Sequence, residues 1–236
     1  MAGETIKTRA VCLGITPWSK TSHVVSWLTP SGRVGTVVKG AVRPKSAFLG
    51  QYDLNYTCEI LYYARAKGEL HALRECVPLS LREGLRGDYR VLAFAGYARM
   101  LVERLAPQGA ECRAWYDLLE TVLEELSGTG VGDGGVTAPM AVGRLVKFEL
   151  DVLHLMGLSP EIEADKGGFV LRGERSIPVS REVAAYLRAE VPQSSDSQIP
   201  LDAARVIGVF YQFHVDLPSD VRRTVLGLMT RTNQKG

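Results

Sequence analysis

Lys7, Arg9, Lys20, Arg33, Lys39, Arg43 and Lys45 all fall between Thr5 and Tyr52, a stretch that contains no Asp or Glu. Solvation alone favours a surface with both signs of charge interspersed. Seven cations without an acid instead create a field that attracts phosphates, through Coulomb attraction and the release of condensed counterions. Polyanion binding is therefore the chemistry these residues offer. Side chains on a strand alternate with a period of two, so Lys7 and Arg9 share one face, as do Arg33 and Lys39. Pro44 biases Arg43 toward an extended backbone and leaves Lys45 just past the kink. The loop within Ser31 to Gly50 is thereby expected to present its cations outward.

The asymmetry extends beyond that stretch. Residues 1–80 hold ten Lys/Arg against five Asp/Glu, and the rest of the chain holds 18 against 21, so a basic N-terminal third precedes a slightly acidic remainder. Such a distribution suggests a polyanion-facing module on a more neutral scaffold. Aromatic side chains would add base stacking, but residues 1–80 carry seven of the eighteen aromatics, close to their proportional share. Trp27 reads as core, whereas Trp18 and Phe48 can each be read as a base platform or as core.

Other chemistries find little support. Gly130-Val-Gly132-Asp-Gly134-Gly135 matches Gly-x-Gly-x-x-Gly in form, but a dinucleotide site needs a strand immediately before it, and an amphipathic helix precedes this one. A linker is the better reading. The pattern Gly-x-x-x-x-Gly-Lys-Ser/Thr is absent, and His23, His71, His154 and His214 never form an i, i+4 metal pair. Cys12, Cys58, Cys76 and Cys112 are dispersed with no Cys-x-x-Cys pair, which is read as reduced thiols in a cytoplasm. No apolar run approaches the roughly 18 to 20 residues that span a bilayer. The expectation is a protein that is not an enzyme, with no cofactor, no metal and no membrane segment.

The elements that must position the cations follow from periodicity. Residues 5–13, 22–29 and 33–39 are rich in Val, Thr and Ile and are bounded by turn residues such as Pro30 and Gly32, so they read as strands. Leu54 to Tyr63 and Glu69 to Val77 are two more. Five short strands with an irregular insertion between the third and fourth fit an OB-fold barrel. After Pro78 apolar residues recur at three- and four-residue steps, which predicts helices over Leu81–Leu105 and Glu111–Leu126. A glycine-rich linker at about 127–138 follows and is expected to be mobile. Pro139–Met156 is apolar around most of its circumference and belongs in the middle of a bundle. Its polar residues Arg144, Lys147, Asp151 and His154 form one stripe. A small hairpin near Gly167-Gly168-Phe169 and three helices complete the chain: Arg181–Val191 with Ser180 as N-cap, Leu201–His214, and Asp220–Thr230 with Ser219 as N-cap. The expected fold class is α+β, with an OB-fold domain at 1–80 that faces a polyanion and a mainly helical domain at 81–236.

The motifs resemble a known family. Thr16-Pro17-Trp18-Ser19-Lys20-Thr21-Ser22, Ser31-Gly32-Arg33-Val34, Val38-Lys39-Gly40-Ala41 and Arg43-Pro44-Lys45-Ser46 through Leu49-Gly50 look like the N-terminal domain of the bacterial recombination mediators of the RecO family. Gly68-Glu69-Leu70 and Lys147-Phe148-Glu149-Leu150 through Met156-Gly157 continue the match, strongly up to Gly50 and loosely after Leu158. The resemblance implies a non-catalytic role in recombinational repair. It implies binding of single- and double-stranded DNA, annealing of complementary strands, engagement of the acidic C-terminal tail of single-strand binding protein, and action with RecR to load RecA, all in the bacterial cytoplasm near the nucleoid. Lys7, Arg9, Arg33, Lys39, Arg43 and Lys45 would then contact DNA. Arg144 and Lys147 would take the acidic tail, although a solvated stripe or an ion pair to Asp151 explains those two as well. Many relatives have a four-cysteine zinc module after the central helix, whereas Leu158 to Pro178 holds no cysteine, so no zinc module is expected. Two other readings fit the residues: an OB-fold RNA-binding or translation-associated module, and a helical scaffold whose basic face meets an acidic protein.

Overall fold

The β-branched runs that open the chain become five strands: β1 (Thr5–Pro17), β2 (His23–Thr29), β3 (Gly32–Val38), β4 (Thr57–Tyr63) and β5 (Leu70–Ser80). These belong to a computed structural model that describes residues 4–65, 70–108, 112–128, 138–165, 168–172, 176–189, 196, 198–215 and 219–230. The strands close into a barrel in the order β1-β2-β3-β5-β4, antiparallel throughout except for the β3–β5 pair. This is the expected OB-fold. β1 is longer than its apolar run because the register shifts between Cys12 and Gly14, so its first half pairs with β4 and its second half with β2. A bulge of this kind bends a strand around a barrel corner. Closure matters because it leaves the strands no open edge.

Inward-facing residues at alternate positions form the barrel core, with Ala10, Cys12, Val25, Trp27, Cys58, Ile60 and Cys76 among them. Trp27 is fully buried, and its Nε1–H donates to Thr36 Oγ1 at 2.8 Å, so the indole's one polar group is satisfied where water cannot reach it. The same alternation turns Lys7 and Arg9 outward on β1.

The helix expected at 81–105 is broken. A short 3₁₀ helix covers Glu83–Arg86, and α1 begins only at Tyr89 and runs to Leu105. Arg82 has a left-handed backbone, φ 48°, which an α-helix cannot pass through, and Gly87 N–H bonds back to the Gly84 carbonyl, closing the 3₁₀ turn before α1 begins. The remaining elements are α2 (Arg113–Gly128), α3 (Ala138–Leu155), β6 (Glu161–Asp165), β7 (Gly168–Arg172), β8 (Ile177–Val179), α4 (Arg181–Arg188), α5 (Gln198–His214) and α6 (Ser219–Thr230). Ser180 caps α4, its Oγ accepting from Val183 N–H at 3.2 Å. Most of the expected linker at 127–138, with its Gly-x-Gly-x-x-Gly match, lies outside the described residues, as do Gly68, Glu69, Gly167 and the Ser219 side chain.

The chain divides into two compact units, Met1–Gly87 with Ala98–Gly130, and Asp88–Tyr97 with Val131–Gly236. This division differs from the expected boundary at 80/81 by placing α2 with the barrel. The first unit is tied internally by Arg82, whose buried guanidinium donates to the Asn55 carbonyl and to Glu120 Oε2 at 2.9 Å on α2. In the second unit α3 packs against α5 and α6, α4 packs against α5 and β7, and β6-β7-β8 form a small antiparallel sheet in the stretch without cysteine. Its interior holds a buried ion pair. The carboxylate of Glu149 on α3, fully buried, receives Arg222 of α6 through two hydrogen bonds of 2.7 Å and the Tyr97 hydroxyl at 2.6 Å.

Candidate nucleic-acid interface

The barrel end that carries the basic residues is built from two loops bonded to each other. In the β1–β2 turn, Trp18 N–H donates to the Ser22 carbonyl at 2.8 Å and Ser19 N–H to the same oxygen at 3.2 Å. The β3–β4 connection leaves the barrel beside it. Gly40 N–H donates to Ser22 Oγ at 3.2 Å, and Val42 N–H donates to the Thr21 carbonyl at 3.3 Å. The loop then advances by successive tight turns, Arg43 N–H to Gly40 O at 3.1 Å and Ser46 N–H to Arg43 O at 2.9 Å, while Phe48 and Tyr52 anchor it on the barrel core. Gly40 is required at its position. Its φ is +67°, and a Cβ there would lie 3.3 Å from Arg43 Cδ, so the Arg43 stem folds back over a residue without a side chain.

Lys20, Lys39, Arg43 and Lys45 are all exposed on these two loops. Among the described residues, none of the four takes part in an ion pair. Unpaired like charges on a small surface repel one another in the free protein, and an approaching phosphodiester relieves that repulsion.

The other expected DNA-contacting residues are not brought to this end. Lys7 and Arg9 lie on the first half of β1, away from the β1–β2 turn, and both flank Glu59 of β4. Lys7 Nζ is 2.7 Å from Glu59 Oε1, and the hydrogen bond to that carboxylate, reinforced by its charge, raises the Lys7 pKa above the ordinary lysine value. One carboxylate thus offsets half the charge of the pair. Arg33 begins β3 and is half-buried, and its Nη1 donates to the Glu103 carbonyl on the second half of α1. The alternation of β3 does turn Arg33 to the side opposite the buried Gly32, Thr36 and Val38, but a backbone carbonyl engages its guanidinium, so it is not free as Lys39 is. Of the aromatics left open by the sequence, Phe48 packs on the core and Trp18 stands in solvent.

Arg144 and Lys147 lie on α3 in the second unit. Lys147 forms an i, i+4 ion pair with Asp151. Arg144 is half-buried, and its Nη1 is a buried donor with no hydrogen-bond partner among the described residues. Among the described residues, Arg33 Nε, Arg82 Nε, Arg99 Nε and the acceptor Asn55 Oδ1 are likewise buried without a hydrogen-bond partner. His154, further along the stripe, shares a 3.1 Å hydrogen bond with Ser159.

Nothing in the described residues resembles an activated nucleophile or a metal cage. Burial pushes the Cys12 thiol well above its ordinary value, and Cys76 is raised by its hydrogen bond with Cys58 and then by burial. Thiols held protonated are poor nucleophiles. No cluster of His, Cys, Asp or Glu able to hold a metal ion occurs among the described residues, and no described helix is long and apolar enough to cross a membrane. The reading of the sequence missed the charged pair Glu149–Arg222 and the buried Arg82; a single Glu on the apolar face of α3 was the one available sign.

Two family models match the chain in succession, Recombination protein O N terminal over residues 1–82 and Recombination protein O C terminal over residues 86–167. The chain belongs to the RecO family. The first match takes in the whole barrel, which ends at Ser80, and the second runs from just before α1 through β6. Relatives named DNA repair protein RecO come from Roseiflexus sp., 28% identical over 162 residues, 69% of this chain and 53% of that protein. Those of Geobacter metallireducens (32% over 155 residues, 65% and 59%) and Xylella fastidiosa strain M23 (29% over 160 residues, 67% and 61%) are similar. The chain thus matches between half and about three-fifths of the length of these RecO relatives.

Proposed function

We propose that this chain acts in DNA repair as a non-catalytic recombination mediator. It binds single- and double-stranded DNA, promotes annealing of complementary strands and, with RecR, assists loading of RecA onto DNA coated by single-strand binding protein in the bacterial cytoplasm. The observation that carries the reading is the set of exposed, unpaired cations Lys20, Lys39, Arg43 and Lys45 on two loops joined by hydrogen bonds at one end of the OB barrel. Phosphate neutralisation is what annealing requires. Two strands repel through their backbones, and a surface that releases their counterions and holds both raises their effective concentration. Lys7 and Arg9, on a separate face shared with Glu59, extend the DNA path more weakly. Arg33 contributes to the barrel's attachment to α1 rather than to DNA.

The acidic tail of single-strand binding protein is assigned to Arg144 and Lys147 on α3. Support comes from the chemistry of the two cations on one stripe of α3, since a guanidinium pairs with a carboxylate through charge-assisted hydrogen bonds. Annealing of complementary strands precoated with single-strand binding protein, with and without that protein's acidic tail, tests both parts. Faster annealing that depends on the tail is expected. A protein that leaves the annealing rate of bare and coated strands unchanged contradicts the mediator reading. Equal acceleration with tailless protein removes the role given to Arg144 and Lys147.

A further inference from the structure

Trp18 is the most exposed of the large apolar side chains among the described residues, at 64%. A lone apolar side chain in water needs no explanation by itself; the setting of this one does. Its backbone is fixed by the 2.8 Å hydrogen bond to Ser22, within the turn that also carries Lys20. That turn is fastened through Thr21 and Ser22 to the loop bearing Lys39, Arg43 and Lys45. The neighbouring aromatics are already committed. Trp27 is buried and bonded to Thr36, the Tyr52 hydroxyl pairs with His23 at 2.9 Å, and Phe48 lies on the core. One indole therefore stands in solvent on joined loops whose cations form no ion pair among the described residues.

An indole face beside phosphate-binding cations fits an unpaired nucleobase with its flanking phosphates. A base of single-stranded DNA is free to leave its neighbours and lie on the ring, while in a duplex the bases are stacked on one another and only the phosphates are available. We propose that Trp18 is a base-stacking platform that gives this end of the barrel its preference for single-stranded over duplex DNA. The proposal rests on the DNA-binding reading given above. Lys20, Lys39, Arg43 and Lys45 would supply attraction common to both forms, and Trp18 would supply the difference.

The test compares the full chain with Trp18→Ala and Trp18→Phe, using fluorescence anisotropy with a labelled oligothymidylate and with a labelled duplex of equal length. Stacking on an aromatic side chain is worth about 1–3 kcal/mol per base, so Trp18→Ala is expected to weaken single-strand binding between about 5- and 150-fold. Duplex affinity should change by less than about twofold, and Trp18→Phe should restore much of the loss, since a phenyl ring still offers a face to stack on. The slope of affinity against salt should be unchanged, because no phosphate contact is removed. Equal losses on both DNA forms, or single-strand binding as tight as the parent's, would overturn the platform while leaving DNA binding intact. A parent protein that binds neither form at low salt would overturn the DNA reading and the platform with it.

Discussion

Replacing Arg222 with Met should cost the second unit much of its stability, and the structure sets the size of the loss. Glu149 is fully buried, and Arg222 meets its two carboxylate oxygens at 2.7 Å each while also donating to the Ala204 carbonyl at 2.8 Å. Tyr97 donates to the same carboxylate at 2.6 Å, and Tyr211 donates to the Glu149 backbone carbonyl at 2.9 Å. Burial, followed by the adjacent carboxylate, pushes the Tyr97 phenol far above its ordinary value, so it remains a donor at any working pH. Arg222→Met keeps the volume of the stem but leaves a buried carboxylate with one side-chain donor. Breaking such a pair from one side costs about 3–5 kcal/mol, against a typical total stability of about 5–15 kcal/mol. Adding Glu149→Gln to Arg222→Met should recover part of the loss, since it removes the stranded charge. Urea unfolding followed by far-ultraviolet circular dichroism provides the measurement. A deficit under about 1 kcal/mol, or a double variant no more stable than Arg222→Met alone, would refute the view of this pair as a buried clamp between α3 and α6.

Two further substitutions probe the barrel unit. Arg33→Ala should destabilise it by about 1.5–3 kcal/mol, the worth of a hydrogen bond from a charged group, because Arg33 Nη1 holds the Glu103 carbonyl; DNA affinity at a given salt concentration should be unaffected. A large loss of DNA binding at unchanged stability would return Arg33 to the DNA interface. Gly84→Ala should destabilise by about 1–3 kcal/mol or more, since a Cβ there would lie 1.9 Å from the Ser127 carbonyl oxygen at the end of α2. A melting temperature equal to the parent's would show that this approach relaxes freely.

The barrel was legible because its strands carry the period-two pattern and its turns carry Pro30 and Gly32. The extent of β1 was not. Thr16-Pro17 reads as turn chemistry, but the bulge at Cys12/Gly14 allows the strand to pass from β4 to β2 and continue to Pro17. Periodicity at Leu85 hid the break before α1, because the left-handed Arg82 is held by Glu120 and Asn55 from elsewhere in the unit. The cationic field could be read directly, whereas its division could not. Lys39, Arg43 and Lys45 differ from Lys7 and Arg33 only through Glu59 and the Glu103 carbonyl, partners brought in by tertiary structure. Glu149 escaped notice for a related reason. It is the one acid on the apolar face of α3, and its partner arrives from α6.

The central claim is that the unpaired cations on the joined loops contact phosphates, and its most direct test is the salt dependence of single-stranded DNA binding for the parent and for Lys39→Gln/Arg43→Gln/Lys45→Gln. Each phosphate contact contributes about −0.7 to the slope of log affinity against log salt on a single strand. The triple variant should therefore bind more weakly, with a slope shallower by about 2. A variant whose affinity and slope match the parent's, or a parent whose binding does not respond to salt, would contradict it.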